Sequence, residues 1–133
     1  MIDQAFDPSE FELVLHFSFR QILTWGDNYK DKRDFIRRNA LEEFPKYTKN
    51  YEWYAFLIKV RRNKLARPLD IENVPKLIID AFSRRQIRLD KSVYPQVGIY
   101  DEDSLKYVRV LHVEGELANN EDNTEVWVYG RKR

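Results

Sequence analysis

Cysteine is absent from this 133-residue chain, which excludes disulfides, thiolate metal centres and cysteine nucleophiles. Glycine is scarce, with four residues against five prolines, and no Gly-rich loop of the phosphate-cradling type occurs, so no nucleotide cofactor is expected. His16 and His112 are the only histidines, too few for a zinc site built on imidazoles. No apolar run is long enough to span a bilayer. The opening residues Met1-Ile2-Asp3-Gln4 lack the basic region and apolar core of a secretory leader. A cytoplasmic protein with no membrane partner is therefore expected. An excess of one charge is missing as well: 23 basic and 22 acidic residues sum to +1, which argues against a polycation that coats nucleic acid by charge alone. Whatever chemistry exists must rest on carboxylates, lysines and arginines.

What is there is a chain rich in large apolar groups. It is 43% hydrophobic and 14% aromatic, enough to bury a core and resist disorder. Its length suits a single domain over residues 1–133. Residues 11–19 alternate, with Phe11, Leu13, Leu15, Phe17 and Phe19 on one face, and predict a half-buried strand. A turn at Trp25-Gly26-Asp27-Asn28 leads into a helix over 31–44, stopped by Pro45. Residues 51–62 are apolar on both faces, as in a central strand. Helical spacing returns over 73–85, and Pro75 fits only in its first turn. Strands over 107–114 and 124–129 follow, joined by the polar residues 119–123 as an antiparallel hairpin. The stretch 88–100 has no clear period. The expected fold is α+β: a small mixed β-sheet with two helices on one face, in β-α-β-α-β-β order.

The chemistry-bearing residues cluster around the second helix. Glu72, Lys76 and Asp80 fall within an arc of roughly 80°, and Asp70 lies just before them. Two carboxylates at a loop-to-helix junction suit a hard cation, Mg²⁺ or Mn²⁺. A lysine one turn on could offset charge developing on a phosphate. The acidic run Asp101-Glu102-Asp103 offers a further carboxylate. The same residues also suit an ordinary helix start, where acids favour the positive helix end and Glu72–Lys76 is an i, i+4 surface pair. Lys59, Arg61, Arg62, Lys64 and Arg67 lie within nine residues without an acid, whereas residues 92–130 hold eight acids against Lys106 and Arg109. Basic groups beside carboxylates fit an enzyme on a polyanion, the former on phosphates and the latter on metal; a solvated basic edge is the alternative.

The run Asp70-Ile71-Glu72-Asn73-Val74-Pro75-Lys76-Leu77-Ile78-Ile79-Asp80-Ala81 resembles the Asp-x-Asp-Asn-x-x-Lys-x-x-x-Asp-Ala motif of the RusA-type Holliday-junction resolvases, with Glu72 in place of the second Asp. Glu102-Asp103 before Leu105-Lys106-Tyr107-Val108 resembles that family's later acidic pair. The resemblance implies a homodimeric, Mg²⁺-dependent endonuclease cutting branched DNA. It implies that Asp70, Glu72 and Asp103 (or Asp101) hold the metal, with Mn²⁺ as a substitute, and that Lys76 is the catalytic lysine. Arg61, Arg62, Lys64 and Arg67 are the candidate DNA contacts. A DNA-binding module that has lost cutting, or a protein-interaction domain, would carry the same basic surface.

Overall fold

The computed structural model describes residues 7–45 and 49–133. Among these, a four-stranded mixed sheet carries three α-helices. Strand β1 spans Phe11–Phe19, helix α1 Tyr29–Leu41 and strand β2 Tyr54–Asn63. A 3-10 turn at Ile71–Asn73 leads into α2, Pro75–Ala81, and then α3, Arg84–Asp90. A second 3-10 turn at Pro95–Val97 precedes strands β3, Val108–Ala118, and β4, Asn123–Arg131.

The period-2 pattern of β1 holds from Leu15 onward, where Leu15, Phe17 and Phe19 are buried and His16 and Ser18 face outward, but Leu13 is exposed and Phe11 packs on the opposite face of the sheet, against the expectation. A register shift between Leu13 and Leu15 resets the alternation at the strand's start. Helix α1 begins after Asn28, whose left-handed φ of 58° is one that asparagine tolerates. It ends at Leu41 rather than 44, before Pro45, while Phe44 still packs on the core. Strand β2 is central, as its two apolar faces require. Tyr54, Phe56, Ile58 and Val60 pack under the helices, whereas Ala55 and Leu57 join Tyr129, Trp53 and Trp127 on the other face. Those aromatics shield the face that no helix covers.

Two expectations are corrected. The predicted hairpin between the last two strands does not form, because the sheet order is β1-β4-β2-β3. Strand β2 needs neighbours at both edges, so β3 runs parallel along one edge and β4 antiparallel along the other. The connection between them crosses the end of β2 and is pinned there by Asp122, whose carboxylate accepts from the Asn63 backbone N–H at 2.8 Å and from Arg62 Nη1 at 2.8 Å. A parallel β2–β3 pair also demands a long crossover, and the helices of residues 75–90 supply it. The single helix predicted over 73–85 is in fact two. Ser83 is extended (φ −77°, ψ 123°), and its Oγ accepts the Gln86 N–H to cap α3. The break is held by chain passing beside it, since Ile99 N–H donates to the Phe82 carbonyl at 2.9 Å and Arg84 N–H to the Tyr100 carbonyl at 2.8 Å. This stitching carries residues 99–103 alongside α2, and so sets the site.

Candidate functional site

Lys76 leaves the first turn of α2, where Pro75 at the first helical position costs no hydrogen bond. One turn later, on the same face, stands Asp80. The segment held against the Phe82–Arg84 break delivers Asp103 from the other side. Lys76 Nζ donates to Asp103 Oδ2 at 3.0 Å and to Asp80 Oδ1 at 3.1 Å. Residues 27 apart in sequence thus close on one ammonium.

The environments of the two carboxylates differ. Asp80 is 5% exposed, and burial, reinforced by Asp103, pushes its carboxyl up to about 6 despite Lys76. A proton held on Asp80 is donated toward Asp103, which is why Asp103 lies below the usual carboxylate range, with Lys76 helping. Partial burial works against the charge on Lys76, but Asp103 and Asp80 outweigh it and hold the ammonium above the ordinary lysine range. Tyr100, fully buried behind the pair, is raised well above the usual phenol by desolvation and then by Asp103 and Asp80.

Asp80 gives a pH prediction. Its folded-state value of about 6 exceeds the ordinary 3.8, so its contribution to stability is fully present below about pH 4 and is lost as pH rises through 6. Asp80→Asn removes that loss. Relative to the parent, the variant's stability should climb by about 1–3 kcal/mol between pH 4 and pH 7, measured by urea unfolding at each pH. A difference that stays constant across that range would contradict the assignment.

A third wall comes from a residue the sequence reading placed in a turn. The Trp25 ring lies 5.6 Å from Lys76 Nζ, within cation–π reach, and stacks on Tyr29 with centroids 4.1 Å apart. Its backbone N–H donates to the Asn73 carbonyl at 2.7 Å, tying this loop to the start of α2. An aromatic in an otherwise polar Trp-Gly-Asp-Asn turn was the only signal in the sequence. Asp80, a motif position whose expected role was structural support, was legible only as a residue one turn beyond Lys76.

Of the two alternatives for the later carboxylate, Asp103 faces Lys76. Asp101 instead receives Arg84 Nη1 at 3.1 Å and the Tyr107 hydroxyl at 3.1 Å, and these hydrogen bonds lower its carboxyl. Asp70 and Glu72 are exposed on the turn before α2. Neither carboxylate forms an ion pair among the described residues. No group of three His, Asp or Glu side chains converges on one point among those residues. Among the described residues, Asp103 and Asp80 gather their oxygens around the ammonium of Lys76, and Asp70 and Glu72 do not join them.

The predicted basic surface divides. Arg61 Nε is 2.7 Å from Glu116, with Lys59 Nζ 3.6 Å from the same carboxylate. Arg62 is a clamp, bonded to Asp122 and through Nε to the Arg67 carbonyl at 3.0 Å. Lys64 and Arg67 are exposed, with no acidic partner among the described residues. The histidines stand apart from the site: His16 stacks on Trp127 and contacts Glu125 at 2.6 Å, and His112 lies 3.3 Å from Glu114. None of the described helices is long and apolar enough to cross a membrane. No family model matches the chain, and neither a curated protein nor a solved structure matches it.

Proposed function

We propose that this chain is a metal-dependent endonuclease that hydrolyses phosphodiester bonds in branched DNA, in the cytoplasm and as a homodimer. The observation that carries the reading is the convergence of Lys76 and Asp103 at 3.0 Å, which joins two separate parts of the motif that resembles the RusA-type resolvases. Lys76 is the cation that would meet the scissile phosphate; it is half exposed and can reach outward. Asp70, Glu72 and Asp103 would hold Mg²⁺ or Mn²⁺. Such an ion polarises the phosphoryl oxygen and acidifies a bound water. Lys64 and Arg67, which no acid engages among the described residues, would grip the phosphate backbone and read shape rather than base sequence, while Arg61 and Arg62 contribute less because Glu116 and Asp122 engage them. Two-fold symmetry would place two such sites on opposite strands of a four-way junction. The outer edge of β3 offers a surface for that pairing, because a two-fold at Val113 sets His112 opposite Glu114 of the second copy.

Incubating the protein with a labelled four-way junction tests the reading. Cutting that requires Mg²⁺ and falls at least about a hundredfold in Asp70→Asn is the expected result. Salt-sensitive binding without cutting would make the chain a binding module. The absence of both would leave a protein-interaction domain.

A further inference from the structure

Resting on the homodimer of the reading above, we infer that the second copy docks edge to edge along β3 and seats its Leu111 against Ile71, so that the turn carrying Asp70 and Glu72 is part of the dimer interface. Strand β3 ends the sheet order β1-β4-β2-β3 and, at 11 residues, is the longest of the four strands, yet its outer side has no neighbour among the described residues. Its pairing with β2 is regular from Val110 to Ala118, and the Lys64 N–H donates to the Ala118 carbonyl at 3.0 Å. Ala118, Glu116, Glu114 and His112 thus turn their backbone groups toward β2, and the residues between them present theirs outward. Neither proline nor lysine blunts this edge. The opposite edge, β1, is interrupted by the register shift between Leu13 and Leu15.

A two-fold axis at Val113, the midpoint of β3, overlaps the whole strand, from Val108 against Ala118 of the second copy to the reverse. It also brings the outward N–H and C=O groups of the two Val113 residues together as a hydrogen-bonded antiparallel pair. Leu111 then stands opposite Gly115. Both lie on the helix-covered face, because they pair with Phe56 and Val60 of β2. Gly115 has no side chain, and Ile71 Cδ1 lies over it, 3.1 Å from where a Cβ would stand. Leu111, 47% exposed in one copy, therefore meets Ile71 of the other, itself 39% exposed and placed between Asp70 and Glu72. On the other face His112, which lies 3.3 Å from Glu114 of its own strand, also comes opposite Glu114 of the second copy. The sequence selects this axis. One residue to either side sets His112 on itself or Glu114 on itself; an axis at Gly115 opposes Glu114 and Glu116, and one at Leu111 leaves residues 115–118 unpaired.

The absence of cysteine makes the test direct. Val113→Cys should form an intermolecular disulfide under mild oxidation, because the Cα atoms of such a pair lie about 5.5 Å apart, inside the disulfide range of about 4.4–6.8 Å. Leu105→Cys, 78% exposed but sent to opposite ends of the pair, should stay unlinked. Leu111→Glu should weaken the dimer at least about tenfold in sedimentation. It should also speed amide exchange at Asn73 and Val74, whose N–H groups close the turn around Ile71. His112→Glu should weaken the dimer as well, and adding Glu114→Lys should restore it, which a loss of fold could not do. A dimer that Leu111→Glu and His112→Glu leave intact overturns this interface and leaves the homodimer standing, as does a folded Val113→Cys dimer that stays unlinked. Loss of the dimer in Leu111→Glu without a change at Asn73 and Val74 overturns the link to the turn. A parent chain that sediments as a monomer overturns interface and homodimer together, while junction cutting reads the nuclease chemistry separately.

Discussion

Asp90→Asn is expected to destabilise the fold by about 3–5 kcal/mol, the usual consequence of removing one partner from a buried ion pair. Asp90 closes α3 and is 7% exposed. It receives two hydrogen bonds from Arg33, from Nε at 2.7 Å and Nη2 at 2.8 Å. Arg37, with no exposed surface, places Nη2 3.0 Å from Asp90, close enough for charge though not aligned for a hydrogen bond. It spends its other donors on the Ala81 carbonyl at 2.7 Å and on Asp34 at 2.9 Å. One carboxylate thus faces two guanidinium groups of α1, the second shared with Asp34, and ties α3 to that helix. The amide would leave that positive charge uncompensated in the interior. Burial raises the Asp90 carboxyl, but Arg33, Gln86 and Arg37 more than reverse this and hold it below 3.8. Its contribution is therefore present above about pH 4 and is lost as pH falls through the lowered value. Urea unfolding at pH 7 should show the full deficit, and the deficit should shrink below pH 4. Asp34→Asn is the control: Asp34 is a quarter exposed and should cost about 1 kcal/mol.

Local pattern was enough for much of this architecture. Period-2 alternation placed β1, two-sided apolarity put β2 in the middle, and Pro75 brought the expected start of α2 to within two residues of the observed one. What failed was non-local. Residues 119–123 are as polar as any hairpin loop, and nothing in them tells that the chain crosses over β2. The choice follows from β2 needing two partners and from Asp122 finding the Asn63 N–H. The helix break at Ser83 was hidden because Val74, Leu77, Ile78, Ala81 and Phe82 keep helical spacing up to it; the signal lay in a serine whose cap is completed only by Gln86 and the bridge to Tyr100. The site divides in the same way. Lys76 and Asp80 share a face because a helix makes them do so, whereas Asp103 reaches them only through the stitched segment after α3. Arg62, read from the sequence as a DNA contact, spends its guanidinium on Asp122 and Arg67. A run of like charge does not reveal which of its members the fold neutralises.

Lys76→Met should lower the rate of junction cutting by about 10²–10³, the range found when a charge-stabilising donor is removed from a transition state. On the proposed reading the loss should fall on kcat and leave KM nearly unchanged, because Lys64 and Arg67 would retain the phosphate backbone and Lys76 would act on the one phosphate that changes. Lys76→Arg should recover only part of the rate. A planar, wider guanidinium does not sit between Asp80 and Asp103 as the compact ammonium does at 3.1 and 3.0 Å, nor present a point charge outward from there. A lysine that served only to keep α2 in place would lower the protein's stability in urea along with its cutting rate. One that served only to hold DNA would raise KM and leave the saturated rate intact. A fall in kcat at unchanged KM in a folded variant therefore assigns Lys76 to the reacting phosphate, and a rise in KM alone removes it from that role.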